Sequence, residues 1–374
     1  MAAGVETSQA WTAPAPRYKP GVGGVTIRAV ALLPVLFLVF VLPWFNDEWT
    51  NDAIYAAIFA MVGLSMNVLV GYTGQISLGQ QAFLGIGAVT SANLLKTGTT
   101  AADPLSLAAG IAAGALVAAA VAAALGGIAL RVRGLYLALV TLVFGSVTAD
   151  AVFTAPSLNG QEAGVPAYRP TALQDNYWYY IFALAMVAVC LYVDVWVRRS
   201  KVGRGLVALR DNELVASAFG VNVLGYKLLG FVISGALAGL AGGVYTFWSQ
   251  EFSDKNFTGP AGFNLALVFV VMAVVGGLGS RAGVVAAAAF FALLDPLFGG
   301  LASLTGWPDW YTGHKQYVQN LVGAVLLLQT VIFNPGGLGQ VLTPFTRWFS
   351  GKPFSLHSDA DTGAALGGSA DVRA

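Results

Sequence analysis

The residues of this chain that could do chemistry are few, and they sit where charge is costly. Asp150, Asp194 and Asp295 interrupt long apolar runs, as do the amides of Gln75, Gln80 and Gln81 and the hydroxyl of Ser77. A carboxylate in such a run suits ion pairing or proton exchange. An amide there must face another helix or a watery path. Asp194 stands four residues before Arg198, an i,i+4 pair expected to neutralise itself near a helix end. Other chemistries are excluded. One cysteine, Cys190, and two separated histidines, His314 and His357, make neither a disulfide framework nor a Cys/His metal site. Cys190 reads as a small core hydrophobe. The chain has no G-x-x-x-x-G-K-[ST] to cradle nucleotide phosphates, no H-E-x-x-H and no G-x-S-x-G.

The elements that must position these residues are membrane spans. Of 374 residues 57% are hydrophobic and 10% charged, with mean hydropathy +0.71, whereas soluble domains carry about 25% charged residues. A net charge of +1, with no basic cluster among stacking aromatics, gives no footprint for nucleic acid. Apolar runs of spanning length fall at 28–44, 51–71, 76–95, 105–130, 134–152, 177–198, 226–250, 264–279, 282–301 and 316–334. The expected fold is all-α and polytopic, with about ten transmembrane helices and both termini cytoplasmic. Residues 1–27 read as a disordered N-terminal tail, which does not resemble a cleaved signal peptide. Residues 28–334 read as the membrane domain, and residues 335–374 end in a small, polar, largely disordered tail.

Basic residues orient the spans. Ten alternating crossings put 15 of the 19 Lys and Arg inside and leave Lys96, Arg169, Lys255 and Lys315 outside, as the positive-inside rule requires. Trp44, Trp49, Trp178, Trp307 and Trp310 then lie near outer ends and Trp196 and Trp348 near inner ones, as interfacial belts do.

Two glycine-rich joints break the pattern. Gly71, Gly74 and Gly79 surround Gln75, Ser77, Gln80 and Gln81. Gly276, Gly277, Gly279 and Gly283 surround Ser280. Setting Gly74 over Gly279 also sets Gly71 over Gly276, a hint of duplication. Helix breaks at membrane depth are tolerated only inside protein or along a watery path. The first joint therefore reads as lining of a translocation pathway through Gly71, Gly74, Gln75, Ser77 and Gln80, or as close packing of small residues. Gly235, Gly239, Gly242 and Gly243 read as packing alone.

The longest polar bridge runs from Arg198 to Gly220. It is expected to be a basic strip followed by a two-turn helix. Asp211 is placed as N-cap, Glu213 adds favourable charge, and Gly220 stops the helix in a left-handed C′ position. Leu214, Val215, Ala218 and Phe219 form its apolar stripe. So short a helix needs a surface to sit on, from this chain or a partner.

Four stretches carry a resemblance. Asn67 to Ala88 (NVLVGYTGQISLGQQAFLGIGA), Arg133 to Leu142 (RGLYLALVTL), Arg199 to Val223 (RSKVGRGLVALRDNELVASAFGVNV) and Val274 to Gly283 (VVGGLGSRAG) resemble the permease subunits of branched-chain amino acid ABC importers, LivM-type above all. The resemblance covers about residues 50–335. It implies a second, LivH-like permease, two cytoplasmic ATPase subunits that hold ATP and Mg²⁺, and an extracytoplasmic solute-binding protein, all at the bacterial inner membrane among its lipids. This chain itself is expected to bind no cofactor and to catalyse no reaction. The resemblance makes residues 199–225 the coupling loop, with Arg210, Asp211, Glu213, Ala216 and Gly220 engaging the ATPases. Ala155 to Gly160 departs from the T-G-G-x-[ND]-G that relatives often carry, and the loop from Leu301 to Gln316 is unusually aromatic. Urea and short-chain amide importers share the architecture, so the solute stays open between these and branched-chain amino acids. The carboxylates inside the apolar runs, Asp295 above all, leave a second class, a proton- or sodium-coupled carrier working alone.

Overall fold

The computed structural model describes residues 47–95, 103–132, 134–160, 164–257, 259–305, 321–326, 328–330, 332–333 and 336–349. The expected span at 28–44, the tails at 1–27 and 350–374, Arg133, His314, Trp44, Trp307 and Trp310 lie outside them. The chain forms two units, residues 38–342 and residues 1–37 with 343–374. Of the second, only residues 343–349 are described, and they are helical.

The larger unit is predominantly helical. Its helices are α1 (Asp47–Met66), α2 (Gln80–Leu95), α3 (Pro104–Ala129), α4 (Leu135–Val147), α5 (Asn176–Arg199), α6 (Lys201–Asp211), α7 (Glu213–Ala218), α8 (Val223–Ser249), α9 (Gly259–Gly276) and α10 (Arg281–Thr305), and α11 (Gly337–Phe349) begins in it. Among the described residues, five helical runs are long and apolar enough to cross a membrane: Asp47–Tyr72, Pro104–Ala129, Leu135–Phe153, Asn176–Arg199 and Val223–Ser249. Each expected span between 51 and 301 falls on a helix. Residues 321–326 and 328–330 are helical within the last expected span.

α1 is apolar all round, and beyond its first turns it is buried among α5, α8 and α10. A helix with no polar face belongs in the middle of a bundle. By contrast α3, α4 and α5 turn apolar side chains such as Leu116, Leu139 and Tyr192 outward, as lipid- or partner-facing helices do. α1 ends in a π-helical turn, Asn67–Tyr72, and α4 likewise runs into one at Thr148–Phe153.

α2, α3 and α8 meet along a seam of small residues. A methyl group at Gly242 would collide with the Leu84 carbonyl of α2, and one at Gly239 with Ala118 of α3. Backbones this close require glycine, so the packing role expected for Gly235, Gly239, Gly242 and Gly243 is what the structure contains. Ser91 donates to the Gly87 and Gly110 carbonyls at 2.7 and 3.0 Å inside this seam. Cys190 is fully buried. Trp49, Trp178 and Trp196 are exposed.

At the end of the bundle where α8 finishes, strands β1 (Val165–Pro166) and β2 (Glu251–Phe252) pair antiparallel. Beneath them Phe153, Phe252 and Phe257 cluster, with Phe252 and Phe257 stacked at 5.9 Å. Arg169 donates to the Phe247 and Trp248 carbonyls at 2.7 and 2.6 Å, closing the C-terminus of α8. Burial lowers the Arg169 pKa from its ordinary value.

Candidate functional site

At the opposite end the four stretches singled out in the sequence come together. Asn67 Oδ1, in the π-turn, accepts from Gly279 N at 3.0 Å. Leu78 N donates to Thr141 Oγ1 of α4 at 3.0 Å. Arg210 Nη1, in the last turn of α6, donates to the Gly71 carbonyl at 2.6 Å. Each bond joins a different stretch to the break after α1. The two glycine joints lie in contact, since a Cβ on Gly71 would sit 2.7 Å from Gly279 N. Gly74 and Gly279, aligned by the sequence, share a left-handed backbone, with φ of 69° and 86°.

The local reasons are legible. A π-turn leaves carbonyls out of the regular ladder, and a helix C-terminus carries partial negative charge. Arg210 supplies a cation and a donor there. Asn67 and Tyr72, on the same turn, point to Asp194 of α5, which is 0% exposed. Asp194 Oδ1 accepts from Asn67 Nδ2 at 3.0 Å, and Oδ2 accepts from the Tyr72 hydroxyl at 2.9 Å and from Arg281 Nε. Arg198 instead lies over the Tyr72 ring, 5.0 Å from its centroid. The expected Asp194–Arg198 pair is therefore corrected. A guanidinium at the start of α10 reaches the buried carboxylate, and the local partner faces an aromatic ring.

The residues read as pathway lining divide. Gly71, Gln75, Ser77 and Gln80 are buried, and Gly74 is exposed beside Ile76. Gln80 Nε2 donates to Ser65 of α1 and, at 2.9 Å, to Ser234 of α8, linking three helices. Gln75 Nε2 donates to the Lys227 carbonyl at 3.5 Å, and Ser77 Oγ accepts from Gly79 N at 3.3 Å. The Oε1 atoms of Gln75, Gln80 and Gln81 are buried with no hydrogen-bond partner.

The basic strip expected at 198–210 is itself a helix, α6, capped by Ser200, whose hydroxyl accepts from Gly203 N at 3.2 Å. Within it Gly203 and Gly205 allow close packing against Val197 and under the Tyr226 ring. Because α6 runs on through Asp211, that residue is not the cap of the next helix. Asn212 is, with Oδ1 accepting from Leu214 N and Val215 N at 3.0 and 3.1 Å. Asp211 is exposed, and its carboxylate lies 4.0 Å from Arg210 Nε. Glu213 opens α7 and pairs with Lys227 of α8.

α7 ends as the sequence reading expects. Gly220 has φ 80°, Gly220 N donates to the Ser217 carbonyl at 2.9 Å, and Val221 N donates to the Ala216 carbonyl at 3.1 Å. That is the paired Schellman closure. Ala216 is buried against the chain. Leu214, Val215 and Phe219 face away from it, Leu214 78% and Phe219 83% exposed. A helix this short, held at both ends while presenting bare apolar side chains, has the form of a docking element. The sequence placed these residues in one stripe without deciding which way it faced.

At the β1–β2 end a polar cleft is lined by Thr154, Pro156, Asn159, Ser253, Asp254 and Lys255. Ala155 to Gly160, the departure noted above, forms a single helical turn closed by Gly160 at φ 69°. Among the described residues no group of His, Cys, Asp and Glu could hold a metal ion.

The family described as the permease component of the branched-chain amino acid transport system matches residues 50–330. The high-affinity branched-chain amino acid transport system permease protein LivM of Salmonella typhimurium is 28% identical over 367 residues, spanning 89% of this chain and 80% of that protein. LivM of Escherichia coli is 28% identical over 362 residues, with 88% and 78% covered. The guanosine ABC transporter permease protein NupQ of Bacillus subtilis is 28% identical over 247 residues, with 61% and 76% covered. No solved structure gives a significant match.

Proposed function

This chain belongs to the branched-chain amino acid transport permease family, whose members are transport subunits and not enzymes, and on that premise we propose that it is one permease of an ATP-driven importer. It works in the bacterial inner membrane beside a second, LivH-like permease. Two ATPases on the cytoplasmic side bind ATP and Mg²⁺, and an extracytoplasmic solute-binding protein delivers the solute. The reading keeps about ten spans over residues 28–334, with both tails cytoplasmic and 199–225 as the coupling loop.

One observation carries the assignment: the exposed apolar face of α7, fixed at both ends. An ATPase groove that receives Leu214, Val215 and Phe219 would bury this face in the helix-in-groove manner. Arg210, Asp211, Glu213, Ala216 and Gly220 shape and anchor the helix that is gripped. Nucleotide-driven closure of the ATPases then moves α7, and the bundle alternates between outward- and inward-open arrangements. The break carrying Gly71, Gly74, Gln75, Ser77 and Gln80 lies at the cytoplasmic mouth of the pathway. The unpartnered amide oxygens offer acceptors to a passing polar solute. At the other end the cleft at Asn159 and Lys255 faces the binding protein.

The solute is a branched-chain amino acid or a related small polar molecule. A lone proton-coupled carrier is disfavoured because Asp194 is matched by Arg281. The test is uptake into vesicles holding this chain alone or with its permease and ATPase partners. Uptake that needs ATP and all partners supports the reading. Gradient-driven uptake by the chain alone overturns it.

A further inference from the structure

The bond between Arg210 and the Gly71 carbonyl joins two parts of the chain that the transport cycle must connect. Arg210 lies two residues before Asn212, the cap of α7, so α7 cannot shift far without drawing on it. Its side chain reaches inward. A Cβ on Gly74 would stand 3.2 Å from Arg210 Cγ, and one on Gly279 would stand 3.5 Å from Nη1. The arm thus passes close to the backbone at both positions, where the left-handed φ favours glycine. The arm ends on the π-turn of the central helix α1. Across that turn, Asn67 and Tyr72 are held by Asp194, and Asn67 also by Gly279 N. The side chains of the turn are thus anchored to α5 and the α9–α10 joint, while its Gly71 carbonyl is attached to the segment bearing α7.

We propose that Arg210 is the positioning residue through which displacement of α7 reaches α1, with the π-turn Asn67–Tyr72 as the element that yields. The inference rests on reading α7 as the docking helix. A π-turn suits the task because it differs from α-helix by a small change of hydrogen-bond register, so a pull on one carbonyl shifts the turn between arrangements while Asp194 holds the remainder. The second link from α7, Glu213 to Lys227, leads to α8, whose Lys227 carbonyl accepts from Gln75 just past the turn. The direct bond from this segment to the π-turn itself is the one Arg210 makes to Gly71.

The experiment uses the assembled importer in lipid vesicles, in a Cys190→Ala background. A nitroxide is placed at Ser217→Cys on α7 or, in a separate preparation, at Ile76→Cys beside the break; both positions are exposed. Trapping a nonhydrolysable ATP analogue is expected to change both spectra. With Arg210→Ala the change at Ser217 persists and that at Ile76 disappears, and uptake per ATP hydrolysed falls by about tenfold, within the range of single coupling interactions. Arg210→Lys, which keeps the charge and a donor for the single bond to Gly71, loses no more than about threefold. If Arg210→Ala does not assemble, Arg210→Gln serves in its place with the same expected loss at Ile76. Persistence of both spectral changes without Arg210 overturns the proposal alone. Absence of any change at Ser217 in the unmodified chain overturns the docking role of α7, and this proposal with it.

Discussion

Asp194 in α5 is paired with Arg281 at the start of α10, not with Arg198 one turn along its own helix. The carboxylate is completely buried, whereas the Arg281 side chain is 34% exposed. The pair also collects Tyr72 and Asn67, so three helices meet on one charge. Asp194→Asn leaves Arg281 without its counter-charge. Breaking a fully buried pair costs about 3–5 kcal/mol, and the partial exposure of Arg281 lowers the expectation to about 2–3 kcal/mol. Thermal unfolding in detergent measures it. In double-mutant cycles Asp194 and Arg281 are expected to couple by about 1–3 kcal/mol, and Asp194 and Arg198 by less than about 0.5 kcal/mol.

The exposed face of α7 yields a binding prediction. Phe219→Asp and Leu214→Asp should weaken association of the ATPases by about 30-fold or more, as loss of a central apolar anchor does. The unfolding temperature of the permease should hold, because neither side chain packs on the chain. Co-purification of ATPase subunits with each variant is the measurement.

The two ends of α7 can be tested apart from its face. Gly220→Ala forces a side chain into the left-handed region, at a cost of about 1–2 kcal/mol. Asn212→Ala removes the N-cap, worth about 1 kcal/mol. Both should speed hydrogen exchange and proteolysis within residues 212–221 while leaving the spans protected.

Glycines in the helices divide by what lies opposite. Gly242→Ala would drive a methyl group into the Leu84 carbonyl, and such overpacking costs about 1–3 kcal/mol. Gly127→Ala on α3 meets nothing within 4 Å, and at an unobstructed helix position it should stabilise by about 0.5–1 kcal/mol. Comparing unfolding temperatures of the two variants decides whether the seam is as close as described.

Gln80 joins α1, α2 and α8 through Ser65 and Ser234. If it also serves the pathway, Gln80→Leu should lower uptake more than it lowers stability. Loss of both in proportion would assign Gln80 to packing alone. Uptake per folded complex, measured beside thermal unfolding, separates the two.

Helix placement between residues 51 and 301 was legible in the sequence because a membrane demands of any chain about 20 apolar residues per crossing. The stop of α7 at Gly220 was legible for a similar reason, since a left-handed closure is a local requirement. The pairing of the glycine joints was hinted at, as Gly74 and Gly279 turned out to share a backbone conformation. What failed depended on distance along the chain. Asp211 gave way to Asn212 because α6, capped by Ser200, continued one residue past the expected boundary. Asp194 exchanged a neighbour four residues away for Arg281, 87 residues away. Local spacing sets which residues could meet. Burial in a shared interior decides which ones must, because an unmatched charge or carbonyl there is too costly to leave. The sequence by itself therefore determined a helical membrane permease and the stripe on α7. Only the tertiary structure decided that the stripe faces outward, that Arg210 reaches inward to Gly71, and that four separate stretches close on one end of the bundle.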